Sequence, residues 1–251
     1  ITGLGTEAIT VTDTVSATDA ATISGLSAGA VTATVTAASV GTLNTALAGV
    51  SGKDALSLQV TDTTGVTATS LTTLDGKTSA AIDAASVTGV TGTLVQVNAL
   101  YQAGSQGTIV GLGNEAVEIT GGSITVAQAN AVAVQTSGVI TADISTSDLA
   151  TLSTLTGSGH AYTITVGNAT VDAAALNALD AKTTGTVTAT AMTLLSGSYT
   201  AVTGVLSAGG ITKNGAGTLI LNAVNAETTG GVVTVNEGKL QLLGATTTLG
   251  A

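Results

Sequence analysis

A unit of about 22 residues recurs along this chain, and a unit that short cannot bury an apolar face by itself. It is clearest from Thr170 to Ala191, TVDAAALNALDAKTTGTVTATA. Asp172 stands where a helix N-cap belongs, and Ala173 to Leu179 is a run of helix formers. Thr183, Thr184 and Gly185 break that run. From Thr186 to Ala191, Thr alternates with Val187, Ala189 and Ala191, which is the period of a strand. The same unit returns at Thr14–Val35 and near Ser123–Ile144. Copies that cannot fold alone must stack on one another, which predicts a rod.

A longer repeat is nested over the short one. Gly3-Leu4-Gly5-Thr6-Glu7-Ala8 returns 108 residues later as Gly111-Leu112-Gly113-Asn114-Glu115-Ala116. Gly29 then matches Gly138, Val35 matches Ile144 and Leu43 matches Leu152. The second copy carries the helical half around Asp172–Lys182, and the first passes straight from Asp62 to Thr63. Solenoids tolerate an insertion at a repeat junction, and closed cores do not. Ile1 falls in register with Ile109, so further repeats are expected upstream. The divisions expected are residues 1–108, 109–208 and 209–251, joined as one continuous rod.

From Gly209 the texture changes to short alternating strands between Gly-containing turns, with no helical half. Lys213, Gly215, Gly217, Thr218, Leu219 and Leu221, followed by Gly231, Thr234, Gly238 and Leu240, closely resemble the autotransporter-associated β-strand repeat of bacterial passenger domains. The match covers about the last 40 residues. It departs from the family where Ala226-Glu227-Thr228-Thr229 replaces the usual aromatic before the Gly-Gly turn. The 22-residue units resemble the Thr/Ala-rich tandem repeats of large secreted or cell-surface proteins of marine and cyanobacterial bacteria. Both resemblances imply an extracellular, elongated scaffold on the bacterial cell surface.

Composition narrows the function. Of 251 residues none is Phe, Trp, Cys or Pro, three are Tyr, and about a fifth are Thr. Small side chains suit a narrow core between close walls. A net charge of −10 with five basic residues excludes a nucleic-acid footprint and disfavours anionic lipid. No apolar stretch is long enough to span a membrane as a helix, so no membrane insertion is expected. With no Cys and one His, neither a disulfide framework nor a His-pair metal site can be built.

His160 matches Asp54 in the first copy and reads as a solvated turn residue. The carboxylates Asp13, Asp62, Asp143 and Asp172 are scattered at turns or strand edges, without the paired carboxylates or aromatic platforms of the glycosidases. Asp19 and Asp172 read as N-caps and Asp75-Gly76 as a turn. Calcium is the one ion the sequence leaves room for, although neither the EF-hand nor the Gly-Asp nonapeptide pattern occurs. The pairs Thr32/Thr34, Thr67/Thr69, Thr163/Thr165 and Thr188/Thr190 would set hydroxyls on one strand face, as ice-binding β-helices do. Their simpler reading is a solvated β-branched face. Gly3-Leu4-Gly5 and Gly111-Leu112-Gly113 lack the Lys of a phosphate loop and read as turns.

The sequence therefore predicts a mainly β fold, an elongated parallel β-solenoid (β-helix) with short helical turns in the longer units. Its predicted core holds Ile23, Leu26, Val31, Val35, Leu43, Leu47, Ile140, Ile144, Leu149, Leu152, Leu176, Leu179, Val187, Leu219, Leu221, Val233, Val235 and Leu240. The expected function is structural, a stalk, fibre, sheath or surface-layer component that self-associates into a homo-oligomer, filament or lattice. The alternative is an adhesin passenger that binds a cell-surface or polysaccharide ligand. No enzymatic activity is expected, and no residue is assigned a catalytic, cofactor-binding or metal-binding role.

Overall fold

Every helix with a resolved N-cap in this chain starts on a short oxygen-bearing side chain. Ser16, Ser39, Thr67, Thr93, Asp148 and Asp172 each accept the backbone N–H three residues on. Each thereby satisfies one of the four orphan donors of a helix start. These caps recur between strands throughout the computed structural model, so strand and helix alternate. The structure describes residues 5–207, 211–213, 218–222, 233–235 and 239–243, with only the backbone described from 206 onward.

Chain contacts divide the molecule into two compact units, Ile1–Gly122 with Val134–Ile140, and Ser123–Ala133 with Thr141–Ala251. The first unit holds β1 (Ile9–Val15), α1 (Ala17–Leu26), β2 (Val31–Val35), α2 (Val40–Ala46), β3 (Ala55–Gln59) and β4 (Val66–Thr67). It continues with α3 (Ala68–Asp75), β5 (Ile82–Asp83), β6 (Gly89–Gly92), α4 (Leu94–Gln106), β7 (Ile109–Val110) and β8 (Ala116–Ile119). Its strands lie side by side in two sets, β1-β2-β3-β5-β7 and β4-β6-β8, all parallel.

The second unit holds α5 (Val126–Ala133), most of β9 (Ile140–Ile144), α6 (Leu149–Leu152), β10 (Ala161–Thr165), β11 (Thr170–Asp172) and α7 (Ala173–Asp180). After these come β12 (Val187–Thr188), β13 (Leu194–Ser196), α8 (Tyr199–Ser207), β14 (Ile211–Lys213), β15 (Thr218–Asn222), β16 (Val233–Val235) and β17 (Lys239–Leu243). The parallel sets are β9-β10-β12, β11-β13-β15-β17 and β14-β16.

The expected fold class is corrected. A mainly β, elongated solenoid does not describe a chain in which, among the described residues, helices hold more residues than strands, with α4 reaching 13 residues. The fold is parallel α/β, with helices interspersed among the strands. The helices exceed the short turns expected: Ala, Thr and Val alternate too evenly to show how far a helical face runs. In α1 the inward positions are Ala17, Ala20 and Ser24, spaced for a helix but too small to stand out. The autotransporter resemblance is corrected with the fold, since strand–helix alternation is not a tandem passenger repeat. Of its residues, Gly215, Gly217, Gly231 and Gly238 lie outside the described residues.

The core is aliphatic and lies under the strands and inner helix faces. Val31, Val35, Leu43, Leu47, Ile140, Ile144, Leu149, Leu152, Leu176 and Leu179 are buried as expected. Ile23 and Val187 are half-buried. Leu26 ends α1 at 73% exposure, so its core assignment is corrected. The side chains of Leu219, Leu221, Val233, Val235 and Leu240 lie outside the description. Of the Thr pairs, Thr32/Thr34 and Thr163/Thr165 do sit exposed on strands. Thr67, by contrast, caps α3 with Thr69 inside the helix, and Thr190 lies beyond β12.

Candidate functional site: buried polar turns and the His160–Tyr162 pair

One hydrogen-bonded turn is built four times, each time around a Ser or Thr hydroxyl. Thr183 Oγ1 shares its proton between the carbonyls of His160 (3.1 Å) and Tyr162 (2.9 Å). The same oxygen accepts the N–H groups of Tyr162 (2.8 Å) and Gly185 (3.0 Å). Thr78 does this for the carbonyls of Asp54 (3.2 Å) and Leu56 (2.8 Å) and the N–H groups of Leu56 (2.9 Å) and Ala80 (3.0 Å). Thr136 donates to the Glu115 carbonyl at 2.6 Å and accepts from Gly138 at 3.0 Å. Ser27 donates to the Glu7 carbonyl at 2.6 Å and accepts from Gly29 at 3.0 Å. Backbones come so close here that a Cβ on Gly138 would stand 2.2 Å from the Glu115 carbonyl oxygen, and one on Gly185 2.3 Å from that of Tyr162.

Glu7, Asp54, Glu115 and His160 therefore occupy equivalent places, and three of them are carboxylates. Asp54 is fully buried; its Oδ2 accepts the Ser24 hydroxyl at 2.5 Å and its Oδ1 the Val31 N–H at 2.9 Å. Glu115, also fully buried, accepts the Tyr101 hydroxyl on Oε1. Its Oε2 accepts the N–H groups of Gly113 (2.8 Å) and Asn114 (3.1 Å). Burial, then the hydrogen bond and negative charge of Glu115, push the Tyr101 phenol well above its ordinary range. Both carboxylates are committed to bonds within the fold. Asp54, Ser24 and Thr78 form one group, Glu115, Tyr101 and Thr136 another, and His160 belongs to the second unit.

His160 is different. It is 8% exposed, so the solvated turn residue expected from the sequence is corrected to a buried one. Its ring packs on Tyr162 with centroids 5.3 Å apart and planes inclined at 47°. Gly157, in the left-handed region at φ +74°, lies over the imidazole, where a Cβ would stand 3.0 Å from Nε2. Burial lowers the imidazole below its ordinary value, so it is neutral at pH 7. Burial also pushes the Tyr162 phenol up to about 12, so it stays protonated. Tyr162 is 1% exposed, yet its hydroxyl makes no hydrogen bond with any described residue. The nearby cation is occupied, since Lys182 Nζ donates to the carbonyls of Ser153 (2.8 Å) and Leu155.

The expectation of no enzymatic chemistry is corrected at this point. Buried Asp54, Ser24, Thr78, Glu115 and His160, held in hydrogen-bonded groups, are consistent with a catalytic or binding site. The structural and adhesin functions are corrected with it, since internally packed α/β units with buried polar networks are not a stacking repeat. The described residues likewise show no filament or stacking interface, which removes the basis for the expected self-association.

Other sequence candidates scatter. Asp172 is the N-cap of α7, as read. Asp19 is not a cap but the third residue of α1, bonded to its cap Ser16. Asp75 ends α3 and accepts the Thr108 hydroxyl at 3.0 Å. Asp62 accepts the Val40 N–H at 2.6 Å, while Asp13 and Asp143 lie exposed on β1 and β9. Among the described residues no three His, Asp or Glu side chains gather as a metal site, and no helix is long and apolar enough to cross a membrane. Tyr162 was missed. Its signal was present, as one of three tyrosines in a chain nearly without aromatics, two residues from the lone His. No family model, no curated protein and no solved structure matches this chain.

Proposed function

We propose that this chain is a ligand-binding α/β domain whose site is the His160–Tyr162 pair. The observation that carries the reading is the Tyr162 hydroxyl. A buried hydroxyl without a partner costs about 1–3 kcal/mol. Phe in its place would keep the ring and remove that cost. A protein that keeps the hydroxyl has a use for it that the fold alone does not supply. The His160 imidazole, lowered below its ordinary value by burial, packs on the same ring, and the protonated phenol can donate a hydrogen bond. Asp54 and Glu115 support the fold and take no part, because their oxygens already hold backbone and hydroxyl donors.

The single histidine makes the test direct, since its ring gives one unambiguous set of NMR signals. A library of small polar compounds is titrated against the wild type and Tyr162→Phe while the His160 ring signals are followed. Compounds that move those signals in the wild type and not in the variant support the reading. A library that moves neither ends it.

A further inference from the structure

We infer that the turn at Glu7 and the open edge of β1 form a docking surface for a partner polypeptide, a strand followed by a helix that brings a tyrosine hydroxyl to Glu7. The observations behind it are independent of the His160–Tyr162 pair.

The first unit builds one turn twice and covers one of the two. At both, a carboxylate folds back onto the two residues before it. Glu115 Oε2 accepts the N–H groups of Gly113 (2.8 Å) and Asn114 (3.1 Å), and Glu7 Oε2 accepts those of Gly5 (2.6 Å) and Thr6 (3.1 Å). At both, a hydroxyl binds the carbonyl of that acid at 2.6 Å, from Thr136 and from Ser27. The next strand then opens in the same way: Val117 N–H donates to the Val139 carbonyl at 2.8 Å, and Ile9 N–H to the Ala30 carbonyl at 2.9 Å.

The two places differ on the other side. β6 pairs with β8, Gly89–Gly92 running parallel to Ala116–Ile119, and α4 follows β6 directly. α4 sets the Tyr101 hydroxyl on Glu115 Oε1. Under that cover Val117 is 1% exposed and Ile119 8%. Among the described residues β1 pairs with β2 alone. Ile9 and Val11, in register with Val117 and Ile119, are only half-buried. Glu7 is exposed, and no described residue donates to its Oε1.

These features define the partner. An open strand edge takes another strand through main-chain hydrogen bonds. Half-buried Ile9 and Val11 call for apolar cover. Backbone hydrogen bonds, that of Gly5 first, hold the Glu7 carboxyl below its ordinary range, so its open oxygen is an acceptor that calls for a donor. The segment Gly89–Gln106 meets all three needs at the equivalent turn, and it carries no charged residue. A second copy of this chain has no such segment to give, because its own α4 is already seated with Tyr101 on Glu115. The partner is therefore a different polypeptide of the same strand–helix form.

A synthetic peptide of residues Thr88–Thr108 is the probe, added to the intact chain while amide hydrogen exchange is read along β1. Ile9 donates to β2, so the amides of Ala8 and Thr10 face the open edge. The inference expects saturable protection of these two amides, with exchange slowed at least tenfold. A peptide carrying Tyr101→Phe, and a chain carrying Glu7→Gln shown by circular dichroism to be folded, should each weaken binding at least fivefold. A free peptide has to order itself as it binds, so a second format joins the same residues directly ahead of Ile1, as Thr108 precedes Ile109 in the covered copy. It should give the same protection, reduced by Tyr101→Phe in the added segment. Unchanged exchange of Ala8 and Thr10 in both formats overturns the inference. Equal binding by the Tyr101→Phe peptide overturns it by removing the tyrosine from the partner's chemistry. Protection that rises with protein concentration alone overturns it by placing a second copy there.

Discussion

Replacing Tyr162 by Phe should make this protein more stable. The ring stays, so the apolar area that Tyr162 buries at 1% exposure is retained. Only the hydroxyl goes, and it makes no hydrogen bond with any described residue. In water the unfolded chain hydrates that hydroxyl, and folding removes the hydration without replacement. Removing an unpaired buried hydroxyl should recover about 1 kcal/mol of the roughly 1–3 kcal/mol desolvation cost, because the neighbours relax only in part. For a chain of this size that is a rise in Tm of about 2–4 °C. Urea denaturation followed by circular dichroism reads the same quantity as a higher midpoint at unchanged slope. Thr183→Val is the contrast. It strips the acceptor from the N–H groups of Tyr162 and Gly185 and should cost about 1–3 kcal/mol. A Tyr162→Phe protein that is less stable by 1 kcal/mol or more would refute the reasoning, because it would show that the hydroxyl is bonded within the folded chain.

Other consequences can be checked in the same assays. Gly138→Ala places a Cβ 2.2 Å from the Glu115 carbonyl, a backbone atom that cannot rotate away, and should cost more than about 3 kcal/mol. Gly49→Ala, with nothing within 4 Å of its Cβ, should change stability by less than about 1 kcal/mol. Asp54→Ala leaves the buried Ser24 hydroxyl and Val31 N–H without an acceptor and should cost about 2–4 kcal/mol, read as a lower urea midpoint. The folded state holds His160 below its unfolded value near 6.5, so below that pH the unfolded chain binds the extra proton. Stability should be fully present above the unfolded pKa and fall as pH drops through it toward the folded one. The fall between pH 7.5 and 5 should be smaller in His160→Gln than in the wild type, and an equal fall in both would contradict the assignment.

The repeat read from the sequence is real as a spacing and was misread as a shape. Paired residues on neighbouring strands lie 20 to 27 positions apart, as from Thr141 to Ala161 and from Ile82 to Ile109. A period near 22 residues is thus the length of one crossover. That length was legible; the extent of the helices within it was not. Strand period is visible when Thr and Val alternate, as from Val31 to Val35. Helix period vanishes when the inward positions are Ala17, Ala20 and Ser24. The caps did carry the missing signal. Ser39, Thr67 and Thr93 are ordinary Ser and Thr in a chain where about a fifth of residues are Thr, so they drew no notice as helix starts.

The site was hidden for a second physical reason. A Thr hydroxyl that binds a backbone 21 to 24 residues away, as Thr78 binds Asp54 and Thr136 binds Glu115, leaves no local pattern. Aligning His160 with Asp54 did locate the equivalent places, but the inference drawn from it was wrong. If acids and an imidazole share one buried turn, the position does not require a given side chain. The turn is held by Thr78 and Thr183 through the backbone, so whatever stands at 54 or 160 is free to do something else. At Asp54 the carboxylate reaches back to Ser24 and Val31 and strengthens the fold. At His160 the same turn is held by Thr183, and the imidazole packs on the Tyr162 ring, whose hydroxyl bonds to no described residue. Equivalent scaffolding around two different side chains shows that the turn, held by Thr78 in one case and Thr183 in the other, does not depend on which side chain stands there.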